Sequence, residues 1–451
     1  MKTLLINPPS ERIIEAWDKP DFPHLGLAYL AAFLREKGVE VGIIDAKFES
    51  LNLQQVIEKA RQFSPQIIGL TAMTNYVKAA AYTAEALKEE FRESIFLIGG
   101  AHPTALPTDT LKEFSVFDIA VVGEGEETLS EIAQAKDKQW QLIQGIAYKK
   151  DKEVTQNALR NRIADLDSLP FPAWDILPVA KTYPLITSRG CPFRCVFCMR
   201  MHGEKIRLRS PNNVAQEASL LQEKYNVRHI PILDELFTIS QERVKALCDS
   251  FNEAGLEKIT WGVNSRVTGV SFEMFKRMRQ AGCRKIDFGI ESGNNEILKK
   301  IKKGITTEDA VNAVKLAKKA RIKTHGLFII GHPFETKKTI QDTINLAVKL
   351  NTAYVSVGIM VPYPGTEVFE MARRGEAGYK IISYDWDDYN KQIGNALELE
   401  NLDRKTLERM QVVFYLKFYL SNLRLFSFFK FLFSYRRGIY FYIKNKLLRR
   451  K

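Results

Sequence analysis

Short aliphatic runs alternate with amphipathic stretches in two separate parts of the chain. From residue 1 to about 145 the runs are TLLIN (3–7), VGIID (41–45), IIGLT (67–71), IFLIGG (95–100) and DIAVVGEGE (118–126). Between them, GLAYLAAFLREKG, LQQVIEKARQF and VKAAAYTAEALKEEF repeat apolar residues every three to four positions, the period of a helix with one buried face. Strands that are apolar on both faces, separated by such helices, predict an α/β unit over 1–145. It is a doubly wound, Rossmann-like parallel sheet covered on both sides, with its ligand beyond the carboxyl ends of the strands.

Residues 146–180 are expected to be a linker, because ADLDSLPFPAWDILP (164–178) carries three prolines and little periodicity. A second series then begins: YPLITS (183–188), HIPILD (229–234), ITWGVN (259–264), KIDFGIE (285–291), THGLFIIG (324–331) and YVSVGIM (354–360). Six βα units in so short a span predict a curved parallel sheet, a partial (β/α)6 TIM-like barrel over 181–375, with chemistry at the strands' carboxyl ends. A helical carboxyl-terminal region, 376–451, would follow.

The apolar fraction of 45% is that of an ordinary globular protein. The opening MKTLLINPPS is cut by Pro8 and Pro9 before it could form a signal-peptide core, so it reads as a buried strand and the protein as cytoplasmic. The net charge of +13 suggests nucleic acid until it is located. Ten Lys or Arg and no Asp or Glu fall in 411–451, interleaved with Phe414, Phe418, Phe426, Phe428, Phe429, Phe431, Phe433, Tyr440 and Phe441. The rest of the chain is nearly balanced and offers a polynucleotide no broad basic face. A basic aromatic tail suits peripheral contact at the inner face of an anionic membrane, or a cap over a hydrophobic tunnel. A helix packed on the barrel and a base-stacking tail are the competing readings.

Three of the five cysteines lie within eight residues, in Ser188-Arg-Gly-Cys191-Pro-Phe-Arg-Cys195-Val-Phe-Cys198, after the first strand of the second series. Closely spaced thiolates on a loop suit three corners of an iron-sulfur cubane and leave one iron open. A structural zinc wants four ligands, and only His202 lies near enough to compete. Cys248 and Cys283 are scattered and read as buried thiols.

This spacing resembles that of the radical S-adenosylmethionine superfamily, over roughly residues 181–370. The resemblance implies a [4Fe-4S] cluster on Cys191, Cys195 and Cys198. Its open iron would chelate the methionine end of S-adenosylmethionine and reduce the sulfonium to a 5′-deoxyadenosyl radical, with electrons from a flavodoxin- or ferredoxin-type donor. Phe197 would shield the adenine. The Gly326-to-Thr336 segment resembles the family's fifth-strand adenine site, with Ile329, Gly331 and Glu335. Gly289-Ile-Glu291-Ser292-Gly293 resembles its fourth-strand site for the ribose and methionine ends. Asp234 and Glu235 stand where the family binds the methionine ammonium, or are helix N-terminal carboxylates. Arg266 could meet the substrate or the methionine carboxylate, or simply be solvated.

A doubly wound domain before such a barrel resembles the cobalamin-binding subclass. The resemblance makes Pro8, Thr71, Gly99, Gly100, His102, Gly123 and Glu124 the corrinoid contacts. The chain lacks the Asp-x-His-x-x-Gly motif that supplies a lower cobalt ligand in many cobalamin proteins. His102 therefore reads as a local hydrogen-bonding residue ahead of a ligand. No Gly-x-Gly-x-x-Gly follows the first strand, which disfavours a nicotinamide cofactor. The implied activity is methylation of an unactivated carbon on a small-molecule, apolar or lipid-linked substrate. Cyclisation or ring rearrangement is the alternative, and a non-catalytic cobalamin or redox sensor the reading from another class.

Overall fold

The computed structural model describes residues 1–9, 19–135, 139–150, 153–256, 258–392 and 394–434. The end of the cationic tail, 435–451, lies outside the described residues. The chain divides into two compact units, Met1–Tyr183 and Pro184–Lys451.

The first unit is built on strands β1 (Thr3–Asn7), β2 (Val41–Asp45), β3 (Ile67–Thr71), β4 (Ile95–Gly99), β5 (Ile119–Val121), β6 (Ile146–Lys150) and β7 (Glu153–Gln156), in the order 2-1-3-4-5-6-7. Strands β1 to β5 are parallel. Residues on both faces are buried, Leu5, Ile67, Leu97 and Ile119 on one and Leu4, Ile68, Phe96 and Ile98 on the other, because helices such as Leu25–Glu36 and Val77–Glu90 cover the sheet. The winding reverses between β1 and β3, and at such a switch point the loops leave the sheet in opposite directions and open a crevice.

Two expectations change here. The stretch from 146, expected as linker, begins with β6 and β7, which pair antiparallel onto β5 and extend the sheet. The irregular connection begins only after them. The fifth run, 118–126, yields just three strand residues, because the chain turns at Gly123.

In the second unit β8 (Ser188–Arg189) and β9 (Arg207–Leu208) form a short antiparallel pair. Strands β10 (His229–Ile232), β11 (Thr260–Ser265), β12 (Cys283–Glu291), β13 (Lys323–Ile330) and β14 (Tyr354–Ile359) make a parallel sheet in strictly sequential order, the order of a barrel wall. The predicted first strand, 183–188, joins it only through a bridge between Leu185 and Ile232. Beyond that bridge the amides of Thr187 and Ser188 turn to the carboxylate of Asp234 and leave the ladder.

The carboxyl-terminal region is not wholly helical, since β15 (Tyr379–Ile381) and β16 (Leu397–Leu399) pair antiparallel. Helix Arg404–Ser421 then covers the open edge of β14: Gln411 donates to the carbonyl of Val357, and the Val357 amide donates to the Tyr415 hydroxyl, at 2.9 and 3.1 Å. An uncovered edge strand would be a template for aggregation, and here side chains terminate it. Phe414 and Phe418 are fully buried beneath this helix, so the first part of the tail is a packed cap. Helix Leu425–Ser434 instead leaves Phe426, Phe429 and Phe433 largely exposed.

Candidate active site

The cysteine loop is held at both ends. Its base is the β8–β9 pair, and Gly190, at φ +98°, tolerates no side chain because a Cβ would meet the Lys205 carbonyl at 2.4 Å. The Gly190 amide donates to Glu235 Oε2 at 2.7 Å, and the Cys191 amide to the Gly203 carbonyl at 3.0 Å. Asp234 is buried and accepts four hydrogen bonds, from the amides and hydroxyls of Thr187 and Ser188. Burial pushes its carboxyl up and those four bonds oppose the shift. Midway, Val196 is buried, its amide bound to the Ile301 carbonyl and its carbonyl to the Val368 amide. The three cysteines thus project from a loop fixed before, between and after them, with Cys198 the most exposed.

Three thiols without a fourth protein ligand suit a cluster that keeps one iron open. Among the described residues no trio of His, Cys, Asp and Glu is gathered to hold a single metal ion. His202, the candidate fourth ligand, faces the Glu235 carboxylate at 3.6 Å. Burial, with repulsion between the sulfurs, pushes the Cys198 thiol up to about 11. Coordination to iron would hold such sulfurs as thiolates. Cys248 and Cys283 are buried core thiols, as expected.

Around the loop stand residues from the carboxyl ends of β12 and β13. Glu291 has a left-handed backbone, φ +69°, just after a register shift beyond Gly289. Its carboxylate pairs with Lys303 Nζ at 2.9 Å, both side chains about nine-tenths buried. The ring of Phe197 lies 5.8 Å from that ammonium and 5.9 Å from the ring of His332. His332 is fully buried, and desolvation lowers its pKa to about 4, so the ring is neutral at ordinary pH. Its Nδ1 has no partner in the described structure. Ile329 is buried beside it on β13.

The expected S-adenosylmethionine residues divide into two sets. Phe197, on the cysteine loop, lies near Lys303, which pairs with Glu291 and stands against Gly289, while Ile329 is buried on β13. The others have structural tasks: Asp234 and Glu235 hold the loop, and Gly293 donates its amide to Thr343 at 2.9 Å on the neighbouring helix, with Ser292 alongside. Glu335 accepts from the amides of Gly331 and His332 and bends the chain as it leaves β13. Burial pushes the Glu335 carboxyl up to about 8. Lys303 and His332 were not singled out by sequence. Lys303 sits in a run of lysines that looks solvated, and nothing in the run distinguishes it.

In the first unit the expected cobalamin residues lie at the carboxyl ends of β1, β3, β4 and β5. Gly100, at φ +103°, brings its backbone against that of Ala72, and a Cβ would stand 2.7 Å from the Ala72 carbonyl. A Cβ on Gly99 would have nothing nearer than the Val121 side chain at 4.0 Å, and the Gly123 amide donates to Thr104 Oγ1 at 3.1 Å. Pro8 is buried after β1, and Thr71 closes β3. Small groups and hydroxyls leave the strand ends open for a bulky flat ligand, so the residues fit a corrinoid by space. Two residues are spent elsewhere. Glu124 accepts the Ile163 amide at 3.0 Å. His102 is buried to 1% exposure, its Nδ1 3.4 Å from Thr74 Oγ1, and desolvation lowers its pKa to about 4. That ring has almost no surface to offer a ligand, as the local reading expects.

Known proteins share both halves. Residues 12–133 match the B12 binding domain, and residues 185–347 match the radical SAM superfamily. An uncharacterized methyltransferase of Pyrococcus horikoshii, PH0819, is 35% identical over 432 residues, which cover 93% of each chain. The anaerobic magnesium-protoporphyrin IX monomethyl ester cyclase of Rubrivivax gelatinosus is 29% identical over 89% of this chain and 74% of its own. The fold is that of two solved structures. One is the radical S-adenosylmethionine methyltransferase TsrM from Kitasatospora setae, with cobalamin and a [4Fe-4S] cluster bound (TM-score 0.71, 18% identity, 92% of this chain and 90% of that one). The other is the cobalamin-dependent enzyme OxsB (TM-score 0.75, 19% identity, 92% of this chain and 66% of that one). The chain therefore belongs to the cobalamin-binding subclass of the radical S-adenosylmethionine superfamily, and it is an enzyme that works with a [4Fe-4S] cluster, S-adenosylmethionine and cobalamin.

Proposed function

We propose that the enzyme transfers a methyl group to an unactivated carbon of an apolar or lipid-linked small molecule. When bound, the cluster and S-adenosylmethionine supply an adenosyl radical, and cobalamin carries the methyl group. The protein's own task is to bind, orient and keep out water. Phe197 and Ile329 offer apolar surface for the adenine, and the Glu291 carboxylate an acceptor for a ribose hydroxyl. Similarity to the PH0819 methyltransferase over nearly the whole of both chains is the observation that carries methylation. Similarity to the Rubrivivax cyclase keeps cyclisation as the second reading.

The apolar substrate rests on the tail. Phe426, Phe429 and Phe433 lie on one face of helix Leu425–Ser434, at 84%, 65% and 65% exposure, and the 411–451 region carries ten cations and no acid. An exposed aromatic face in a stretch of sequence with ten cations and no acid suits the surface of an anionic bilayer. No helix among the described residues is long and apolar enough to cross a membrane, so the contact would be peripheral. A flavodoxin- or ferredoxin-type protein would deliver the electron.

The test is anaerobic reconstitution with dithionite and methyl-deuterated S-adenosylmethionine, in the presence of an apolar membrane extract. Methylation predicts 5′-deoxyadenosine together with a product carrying the labelled methyl. A product that has lost hydrogen and gained no label would favour the cyclase. No 5′-deoxyadenosine from a preparation with verified cluster would reject both. For the tail, sedimentation with phosphatidylglycerol vesicles but not phosphatidylcholine vesicles is expected, and Phe426→Ser with Phe429→Ser should weaken it.

A further inference from the structure

Arg266 follows β11 directly and is buried to 7% exposure, so it is not a solvated arginine. Its guanidinium lies 3.6 Å from the centre of the Phe193 ring. Nη2 donates to the carbonyls of Lys303 and Gly304, and Nη1 points at Cys195 Sγ from 3.9 Å. Phe193 and Cys195 belong to the cysteine loop, whereas Lys303 and Gly304 follow the helix after β12. One rigid cation therefore joins three segments, and its third nitrogen, Nε, has no partner among the described residues. An arginine poised for a substrate carboxylate keeps both prongs of its fork free. Here one prong is spent on backbone and the other on sulfur.

A thiolate-bound cluster becomes more negative on reduction. A hydrogen-bond donor and a buried positive charge at a ligand sulfur stabilise the reduced state more than the oxidised one, which raises the potential. The effect is strong only where water does not screen it, and Arg266 is nearly dry. We propose that Arg266 is a positioning residue for the cluster: it orients Cys195 from its stack on Phe193 and raises the cluster's reduction potential through the Nη1–H contact to Cys195 Sγ. The inference rests on cluster ligation by the three cysteines, so iron and sulfide content must be measured first.

The experiment uses the full chain, reconstituted anaerobically without S-adenosylmethionine, and a redox titration followed by the paramagnetic signal of the reduced cluster. Arg266→Gln should keep the parent's iron and sulfide content and titrate at a more negative potential. Arg266→Lys keeps the charge and loses the planar fork, so it should shift the same way by less. Resonance Raman bands of the terminal iron–sulfur bonds should move upward in both as the donor to sulfur is lost. Unchanged potential and Raman bands in a fully loaded Arg266→Gln would overturn the proposal. So would an unchanged potential with weakened S-adenosylmethionine binding, which would assign Arg266 to the methionine carboxylate. If Arg266→Gln fails to assemble a cluster, Arg266→Lys decides by the same criterion.

Discussion

The two sheets build their carboxyl edges from the same materials in different proportions. At the barrel edge the chain buries ionisable side chains: Asp234, Arg266, Glu291, Lys303 and Glu335 are all under 9% exposed. At the edge of the first sheet Asp45 is buried, accepting from Asn7 and His24, but the strand ends over which a corrinoid would lie are Gly99, Gly100 and Gly123 with the hydroxyls of Thr71, Thr74 and Thr104, beside the neutral imidazole of His102. A cluster and a zwitterionic sulfonium are small and charged, and they need fixed dipoles and counter-charges. A corrinoid is broad, and it needs room. One site depends most on buried ionisable side chains and the other most on small residues, so the two should fail in different ways.

The largest effect is expected at the cysteines. Cys195→Ala should abolish cluster assembly while cobalamin binding, read from the visible spectrum, persists; full iron content in this variant would sink the cluster assignment. Next comes the buried pair. Lys303→Met strands the Glu291 carboxylate and should cost on the order of 3–5 kcal/mol, with at least a tenfold loss in S-adenosylmethionine affinity by calorimetry. Adding Glu291→Met should recover most of the stability and none of the affinity. Recovery of both would make the pair purely structural. At the other edge Gly100→Val forces a side chain into a left-handed position 2.7 Å from a carbonyl. It should cost roughly 1–3 kcal/mol and reduce corrinoid retention while leaving iron content unchanged.

The contrast also explains what could be read from sequence. Periodicity alone exposed both sheets, because strands buried on two faces show as unbroken aliphatic runs. It missed β6 and β7, because IAYKK ends in two lysines and EVTQ, on the edge strand, is mostly polar. It overextended the first barrel strand because nothing in YPLITS shows that Asp234 diverts the amides of Thr187 and Ser188. The cysteine spacing located the cluster loop, since ligand spacing is local. The counter-charges are not local. Arg266, Glu291 and Lys303 converge only through the curvature of the wall, and Lys303 looked like one more surface lysine. Family resemblance put Asp234, Ser292, Gly293 and Glu335 at the cofactor. Those four also make hydrogen bonds that hold the chain, a task the resemblance does not reveal.

The smallest predicted effect sharpens the contrast through pH. In the first unit burial lowers the pKa of His102, to about 4, and of His24. A buried histidine with a depressed pKa binds its proton less readily folded than unfolded. Its stabilisation is complete above the unfolded value of 6.5 and is lost as pH falls toward 4, by about 1.4 kcal/mol per unit for each such group. In the barrel His332 and His229 act in the same sense. There, however, burial raises the carboxyls of Glu335, to about 8, and of Asp234 and Glu217. A raised carboxyl favours the folded state as pH falls, so these groups offset the histidines. Mild acid should therefore loosen the first unit while sparing the barrel. Between pH 7.5 and 5.5, hydrogen exchange of the full chain, corrected for its intrinsic pH dependence, should show protection falling in β3 and β4 and holding in β12 and β13. His102→Gln keeps a polar side chain opposite Thr74 and removes the titration, so it should flatten the loss by about 1 kcal/mol per pH unit. Equal loss in both units would mean that the buried carboxyls of the barrel do not offset its histidines.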